Sequence, residues 1–408
     1  MVTAKRRNVN WSQFWRRIEV TVLNPHRGPF LRHVRNPRFL VAIAGLLLVS
    51  TWLSHIWILH HVNLAGEDVF ASVKPPLPAR HTVVIKLTEA DYDDLFGSCV
   101  TPDGLEKIIK TLLQFKPGVL AVDVATSARW FRELNVPESS TKIVWARVSR
   151  VQNSNAPTFR STSNWIAGEV LGHRTTEPLY SGVTLFPQDS DWVVRGVQRW
   201  VRLKNGTVPT MHWEILRAYC ESGSPEACEI IRSAPSLDTG IRTLPNRYEF
   251  PPIELRDFMP SGAKSNPAGR ETVPGENVLQ GKIVILGGAF GDDHPTPFGI
   301  QQGADLVGSA VETELDGKSQ PFAVRGLIQL LAKLMLAFIL AALHHYFRPF
   351  YALTGTLLLL CGVVTFTFVA FYYQALQVDF MPFVVGIWIE QLYEGAEHAE
   401  RITSPHNL

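Results

Sequence analysis

The sequence predicts an α/β exported domain, a mostly parallel sheet covered by helices, carried by α-helical membrane spans, one before it and three after. Three observations carry this expectation. The 408 residues are segregated by charge and by hydropathy rather than mixed. Long, nearly charge-free runs lie near the start and near the end. Between them, short β-branched runs alternate with stretches whose apolar residues recur at helical spacing.

Composition narrows the classes first. Hydrophobic residues make up 46%, charged residues 19%, and the net charge is +2. That balance excludes a disordered chain, a collagen-like chain and a strongly basic nucleic-acid binder. Four cysteines exclude a disulfide scaffold, and no Cys–His spacing marks a zinc site. The averages hide a gradient. Residues 1–38 hold nine Lys/Arg and one Asp/Glu, residues 61–322 hold 26 and 31, and residues 323–408 hold four and five.

Phe39–Leu59 is a 21-residue apolar run with His55 as its one ionisable group. As a helix at ~1.5 Å per residue it spans about 31 Å, the thickness of a hydrocarbon core. It starts too late, runs too long and lacks the A-x-A site of a cleaved signal peptide, so a signal anchor at residues 39–60 is expected. Residues 323–393 then hold three further expected spans. Leu327–Leu343 is interrupted by Lys333, which either snorkels or pairs with an acid of a partner helix. Tyr351–Tyr373 is nearly charge-free. Ala375–Tyr393 is the weakest of the three and has an interfacial helix as its alternative. The basic start holds the N-terminus in the cytoplasm by the positive-inside rule. Residues 61–322 are then outside, and the turn HHYFRPF and the tail 394–408 are inside.

Within 61–322 the order is strand, helix, strand, irregular middle, strand, helix. VVIKL (Val83–Leu87) is a β-branched run closed by TEADYDD. GLEKIIKTLLQF (Gly104–Phe115) places Leu105, Ile108, Ile109 and Leu112 at the helical period. GVLAVDV (Gly118–Val124) is a continuous apolar strand with one acid, and the three elements read as a βαβ unit. The middle adds GVQRWVRL as a strand and MHWEILRAYC as a helix. Ser261–Gly275 is an exposed loop. KIVILGG (Lys282–Gly288) is a second buried strand, followed by the loop AFGDDHPTPFG and the helix GADLVGSAVETEL (Gly303–Leu315).

The motifs VVIKLTEADY, GVLAVDV, DSDWVVRGVQRW and GKIVILGGAFGDDHPTPFG with GADLVGSAVETEL resemble the type-two CHASE domain. That is an extracytoplasmic sensor module associated with cyclases and histidine kinases. The resemblance covers about residues 60–395. It implies a bacterial inner-membrane protein with an exported α/β sensor, one span before it and three after. The chain departs from the family pattern in three places. Thr88 and Glu89 stand where an Asp pair is usual, GSCVTPDG where a Trp-Pro-rich stretch is usual, and Gly308 where a His often opens the last helix. Family members often carry a kinase or cyclase domain inside. The 38 residues before the first span and the 15 after the last are too short for one, so any signal is expected to pass to a separate protein.

Candidate site residues gather at strand ends. Glu89 and Asp91 follow the first strand, Asp123 ends the next, and Asp292 and Asp293 follow the third. Ligands of open parallel sheets bind outside the carboxyl ends of the strands. If the strands are neighbours, these acids line one crevice. With His294 they hold a hard cation through oxygen ligands, or they sense pH, or they cap turns and sit solvated. Thr296, between Pro295 and Pro297, fixes the course of its loop. That loop lacks the lysine and the spacing of a phosphate cradle. Arg195 either pairs with an acid inside the domain or contacts an anionic ligand. Cys220 and Cys228 flank a short turn-forming stretch and can form a disulfide in an oxidising space. Cys99 is then unpaired, and Cys361 lies in a span. Nothing in the spacing supports a nucleophilic enzyme, and no cofactor is implied.

The N-terminal segment completes the reading. Trp11, Phe14, Trp15, Ile18 and Val22 recur at helical spacing, and Arg16 and Arg17 fall off that stripe. Such a helix lies on an anionic inner leaflet, docks a cytoplasmic partner, or does both. The expectation is an integral membrane sensor or adaptor. Its exported domain binds a small ligand or protein and biases a separate effector. The alternative is a structural subunit of an envelope complex that reuses the sensor fold as an interaction surface.

Overall fold

The computed structural model describes residues 57–96, 100–147, 180–189, 191–203, 206–251, 253–259, 278–289, 291–317 and 346–374, with scattered residues of 331–343. Several expectations lie outside these residues. They are the N-terminal segment with Trp11, Phe14, Trp15, Arg16, Arg17 and Ile18, most of the first span, the loop Ser261–Gly275, Cys99, Lys333, the last span and the tail. The chain forms two compact units, Met1–Glu67 with Val324–Leu408, and Asp68–Ala323.

The first helix, α1 (Trp57–Ser72), continues past the apolar run that ends at Leu59. A strand pair, β1 (Leu77–Pro78) with β10 (Tyr248–Glu249), follows it. Then comes a six-stranded sheet. Its members in chain order are β2 (Thr82–Leu87), β3 (Val119–Asp123), β4 (Lys142–Arg147), β5 (Tyr180–Val183), β11 (Ile253–Glu254) and β12 (Ile283–Gly288), and their spatial order is β11-β2-β12-β3-β4-β5. Every pairing is parallel.

The expected unit of β2, helix and β3 is therefore parallel, but its strands are not neighbours. The strand from the far end of the domain, β12, lies between them. Its register runs Ile283 to Thr82 through Gly288 to Leu87 on one side and Ile283 to Val119 through Gly287 to Asp123 on the other. A strand of Ile, Val and Leu buried on both faces is stable only in the middle of a covered sheet. Sequence adjacency yields to that demand.

Period-two alternation sends the strand side chains to two cores. Val83, Ile85, Leu87, Leu120, Val122 and Trp145 face one side. There they meet Leu105, Ile108, Ile109 and Leu112 of α3 (Pro102–Gln114). Thr101 caps α3 by accepting the Gly104 N–H at 3.2 Å, and Pro102 opens it where no donor is needed. Val84, Val119, Ala121, Val144 and Ile285 face the other side, against α4 (Met211–Glu221) and α6 (Gly303–Leu315). The second of these helices begins and ends where the sequence reading placed it.

Three local readings need correction. TEADYDD is not a strand-closing loop: Glu89–Phe96 is a helix, α2, capped by its own sequence. GVQRWVRL is two strands, β6 (Gly196–Gln198) paired with β9 (Ile241–Thr243), and β7 (Trp200–Leu203) paired with β8 (Gly206–Pro209). The strand breaks at Arg199, whose buried guanidinium holds Glu314 of α6 through two hydrogen bonds of 3.0 and 2.7 Å. Part of the acidic loop after β12 is a hairpin, β13 (Asp293–Thr296) with β14 (Gly299–Gln302). Thr296 closes it, donating to the Gly299 carbonyl at 2.6 Å and accepting the Phe298 N–H at 3.2 Å. After α4, the helix α5 (Pro225–Ser233) is joined back to it by a disulfide between Cys220 and Cys228.

In the other unit, α7 (Pro349–Gln374) contains the apolar stretch Phe350–Val369 of mean hydropathy 2.1, long enough to cross a membrane. Leu353, Leu357, Leu358 and Phe366 stand exposed on it. The hydroxyls of Thr354 and Thr367 bond back to the carbonyls of Phe350 and Val363, which removes free donors from an apolar surface. Among the described residues this is the one helix of that kind, so the count of four spans is not confirmed.

Candidate functional site

The carboxyl ends of β2, β12 and β3 meet beneath the N-terminus of α6. Register aligns Lys86, Gly287 and Asp123 in one row across the three strands. Gly287 leaves the middle of that row empty, and a Cβ there would come 2.6 Å from the Ala304 Cβ and 3.4 Å from the Asp123 Cβ. A glycine is required because the first turn of α6 comes down onto the sheet at this point. Lys86 reaches up to Asp305 of α6 at 2.8 Å.

Asp292 arrives from the β12–β13 connection. Its carbonyl accepts the Gly303 N–H at 3.0 Å, and its carboxylate lies where a side chain on residue 303 would be. That is the positive end of the α6 dipole, favourable for an anion. His294 Nε2 sits 2.9 Å from Asp292 Oδ1, and its ring packs edge-on against Phe186.

Asp123 has no such support. The residue keeps some exposed surface, yet its carboxyl lies deep enough that desolvation raises it to about 7. The Asp292 carboxylate pushes it the same way, and His294 opposes them. The Tyr92 hydroxyl of α2 is also raised, by burial first and then by Asp123. The crevice thus holds Asp123, Asp292 and His294 in electrostatic contact, with Tyr92 against Asp123. Two further buried acceptors, Gln302 Oε1 and Asp305 Oδ1, have no partner there. The chemistry of such an arrangement is that of a proton acceptor and of a hydrogen-bond acceptor for donor-rich groups. Among the described residues no three His, Cys, Asp or Glu side chains converge to hold a metal ion.

The other expected site residues are not brought here. Asp91 is spent on a capping box: its carboxylate accepts the Thr88 N–H and hydroxyl, each at 2.7 Å, and its own N–H reaches the Thr88 hydroxyl at 3.3 Å. Glu89 lies exposed in the first turn of α2, and Asp293 is exposed on β13. Arg195 belongs to an internal cluster. It grips Asp68 of α1 bidentately at 2.8 and 2.6 Å, Asp191 at 2.8 and 2.7 Å, and Asp189 at 3.0 Å. Those bonds hold Asp191 below the usual carboxylate range against a desolvation that works the other way. Arg195 has no donor left for a ligand.

The departures at positions 88 and 308 have local causes. Thr88 is the cap of α2. Gly308 lies against Phe250 and Val84, where a Cβ would approach the Phe250 ring to 2.7 Å, so a histidine does not fit. Sequence reasoning missed Glu312, whose Oε1 accepts three successive N–H groups, from Arg80, His81 and Thr82, at 3.1, 2.7 and 2.6 Å. The available signal was two acids, Glu312 and Glu314, in an otherwise apolar helix.

The chain belongs to the CHASE2 domain family, whose model matches residues 40–344. CHASE2 is an extracytoplasmic sensor domain family. No curated protein and no solved structure matches the chain.

Proposed function

We propose that this chain is a multi-pass membrane sensor or adaptor, with both termini in the cytoplasm and residues 61–322 outside. Its input is the crevice beneath α6. The observation that carries the reading is Asp123, raised to about 7 at the carboxyl edge of a parallel sheet and facing Asp292 and His294. Protonation, or a small cationic ligand, removes the repulsion between the two carboxylates and lets α6 settle on the row Lys86–Gly287–Asp123. The altered crevice then biases a separate cytoplasmic effector, which requires that the ligand distinguish two arrangements of the protein. The basic segment 1–38, the apolar helix α7 and the family's extracytoplasmic character support the membrane arrangement.

The test uses the full chain in mild detergent. Tryptophan emission followed from pH 5 to 8.5 is expected to show a transition near 7 that Asp123→Asn abolishes. A titration unchanged by that substitution overturns the crevice as input. Stoichiometric co-purification of a kinase, cyclase or protease from native membranes supports the effector. Envelope or scaffold proteins at fixed ratio favour the structural reading, which the internal use of Arg195 and Asp91 already lends some weight.

A further inference from the structure

A second place in this unit gathers charged side chains around a cavity, and it is distinct from the crevice under α6. At the far edge of the sheet, β4, β5 and α4 border an open cavity of about 490 Å³ lined by Lys142, Arg147, Tyr180, Ser181, Pro209, Glu214, Arg217 and Glu221. Its construction follows from the sequence. Gly182 lets the start of α4 press onto β5, since a Cβ there would stand 2.5 Å from the Met211 nitrogen and the Thr210 carbonyl. The helix then runs back along the edge strand. Glu214, Arg217 and Glu221 recur on one stripe of it, at spacings of three and four residues.

The charges in this cavity are unevenly matched. Glu214 is paired with Arg217 at 2.6 Å. Glu221 accepts a hydrogen bond from the Tyr180 hydroxyl. With the two acids occupied, Lys142 and Arg147 remain. Lys142 has only the Tyr180 ring, with Nζ 5.9 Å from its centroid. Arg147 lies within electrostatic reach of Glu214 but makes no hydrogen bond or close ion pair among the described residues, and its Nε is buried without a partner. The Ser181 hydroxyl, on a residue 9% exposed, likewise has none among them. A guanidinium held partly out of water with no acceptor is costly unless an acceptor arrives. Its planar donors match a carboxylate or phosphate group through two parallel bonds. Raising Glu214 by burial is consistent with a site short of water.

We propose that this cavity binds a small oxyanion, a carboxylate or phosphate, with Arg147 as the bidentate donor and Lys142 and Ser181 completing its contacts. The cavity lies within the volume range of small-molecule sites. It lies on β4 and β5, one strand from Asp123, but it is lined by the helix α4 rather than α6, and Arg147 is not among the groups that act on Asp123, so the two places are tested separately.

The experiment is calorimetric titration of the full chain in detergent with two probes, inorganic phosphate and succinate, paired with thermal unfolding. At least one probe is expected to bind saturably and to raise the unfolding temperature. Arg147→Gln is expected to weaken it about tenfold or more, and Lys142→Gln severalfold. Without probe, Arg147→Gln is expected to unfold near the wild-type temperature, because its Nε makes no hydrogen bond and its attraction to Glu214 is shared with Arg217; that readout shows the variant folds. Binding of phosphate alone or succinate alone assigns the oxyanion's geometry and supports the site. No saturable binding of either probe up to about 10 mM, or equal affinity in wild type and both variants, overturns it.

Discussion

Around Arg195 three aspartates meet one guanidinium; around Asp123 a second aspartate meets only a histidine. Both places are acidic and both sit at turns after strands or before them. In the first, fixed donors satisfy every acid, the Asp191 carboxyl is lowered, and the cluster ties the end of α1 to the turn 189–195. In the second, His294 is the one basic group that opposes burial and Asp292 at Asp123, and the carboxyl is raised to about 7. Acid content therefore does not distinguish a carboxyl free to titrate from one locked in a strut. The presence of a pre-placed cation does, because it settles the charge state before any ligand arrives.

This contrast can be broken by removing the cation. Arg195→Met leaves Asp68, Asp189 and Asp191 facing one another. A loss of about 2 kcal/mol is expected in denaturant unfolding at neutral pH, below the range for fully buried pairs because the acids are partly exposed. A loss under about 1 kcal/mol would place the cluster with ordinary surface pairs and dissolve the distinction.

A second perturbation of comparable size serves as a control that should touch neither place. Replacing both Cys220 and Cys228 with serine opens a loop with a sequence separation of 8. Loop entropy assigns that bridge about 2–3 kcal/mol. The unfolding temperature should drop by nearly the same amount at pH 5 and pH 8, since no titrating group is altered. A strongly pH-dependent drop would show that α4 communicates with one of the acidic clusters.

The crevice is sharpened by pH. A carboxyl whose folded value is about 7 against an ordinary unfolded value of about 3.9 binds its proton more tightly in the folded state. Its stabilising contribution is fully present below about 4 and is lost as pH rises through 7. Asp123→Asn keeps the neutral form at every pH. The variant should therefore gain on wild type as pH rises from 5 to 8, by roughly 2 kcal/mol after discounting the residue's partial exposure. Parallel curves for the two proteins would mean that Asp123 does not titrate in this window.

The smallest effect expected is at a place with no acidic partner. Thr101→Ala removes the cap of α3 and should cost about 1 kcal/mol, uniformly with pH. Hydrogen exchange localised to the first turn of α3 would confirm it, and a global change without that local signature would point elsewhere.

Much of this architecture is legible locally. The runs VVIKL, GVLAVDV and KIVILGG are strands because β-branched residues buried on both faces leave little else for them to be. Leu105, Ile108, Ile109 and Leu112 share one helical face and form the covering of one core. Helix α2 was readable in principle from Thr88 and Asp91, a capping-box spacing inside TEAD, but its short acidic sequence lacks an apolar stripe. The break at Arg199 was not readable, because the residue that causes it, Glu314, lies 115 positions away.

Residue pattern alone thus settles which segments are strands, helices and apolar runs, because periodicity and burial on one or two faces are properties of neighbours along the chain. Strand order settles the rest. Placing β12 between β2 and β3 is what brings Asp123, Gly287 and Lys86 into one row and sets α6 above them. The same folding leads Asp91 into a helix cap and Arg195 into a cluster of its own acids. These outcomes rest on packing and electrostatics between residues as far apart in the chain as Lys86 and Gly287 and as near as Thr88 and Asp91, and the charge state of a carboxyl depends on which of those neighbours it finally meets.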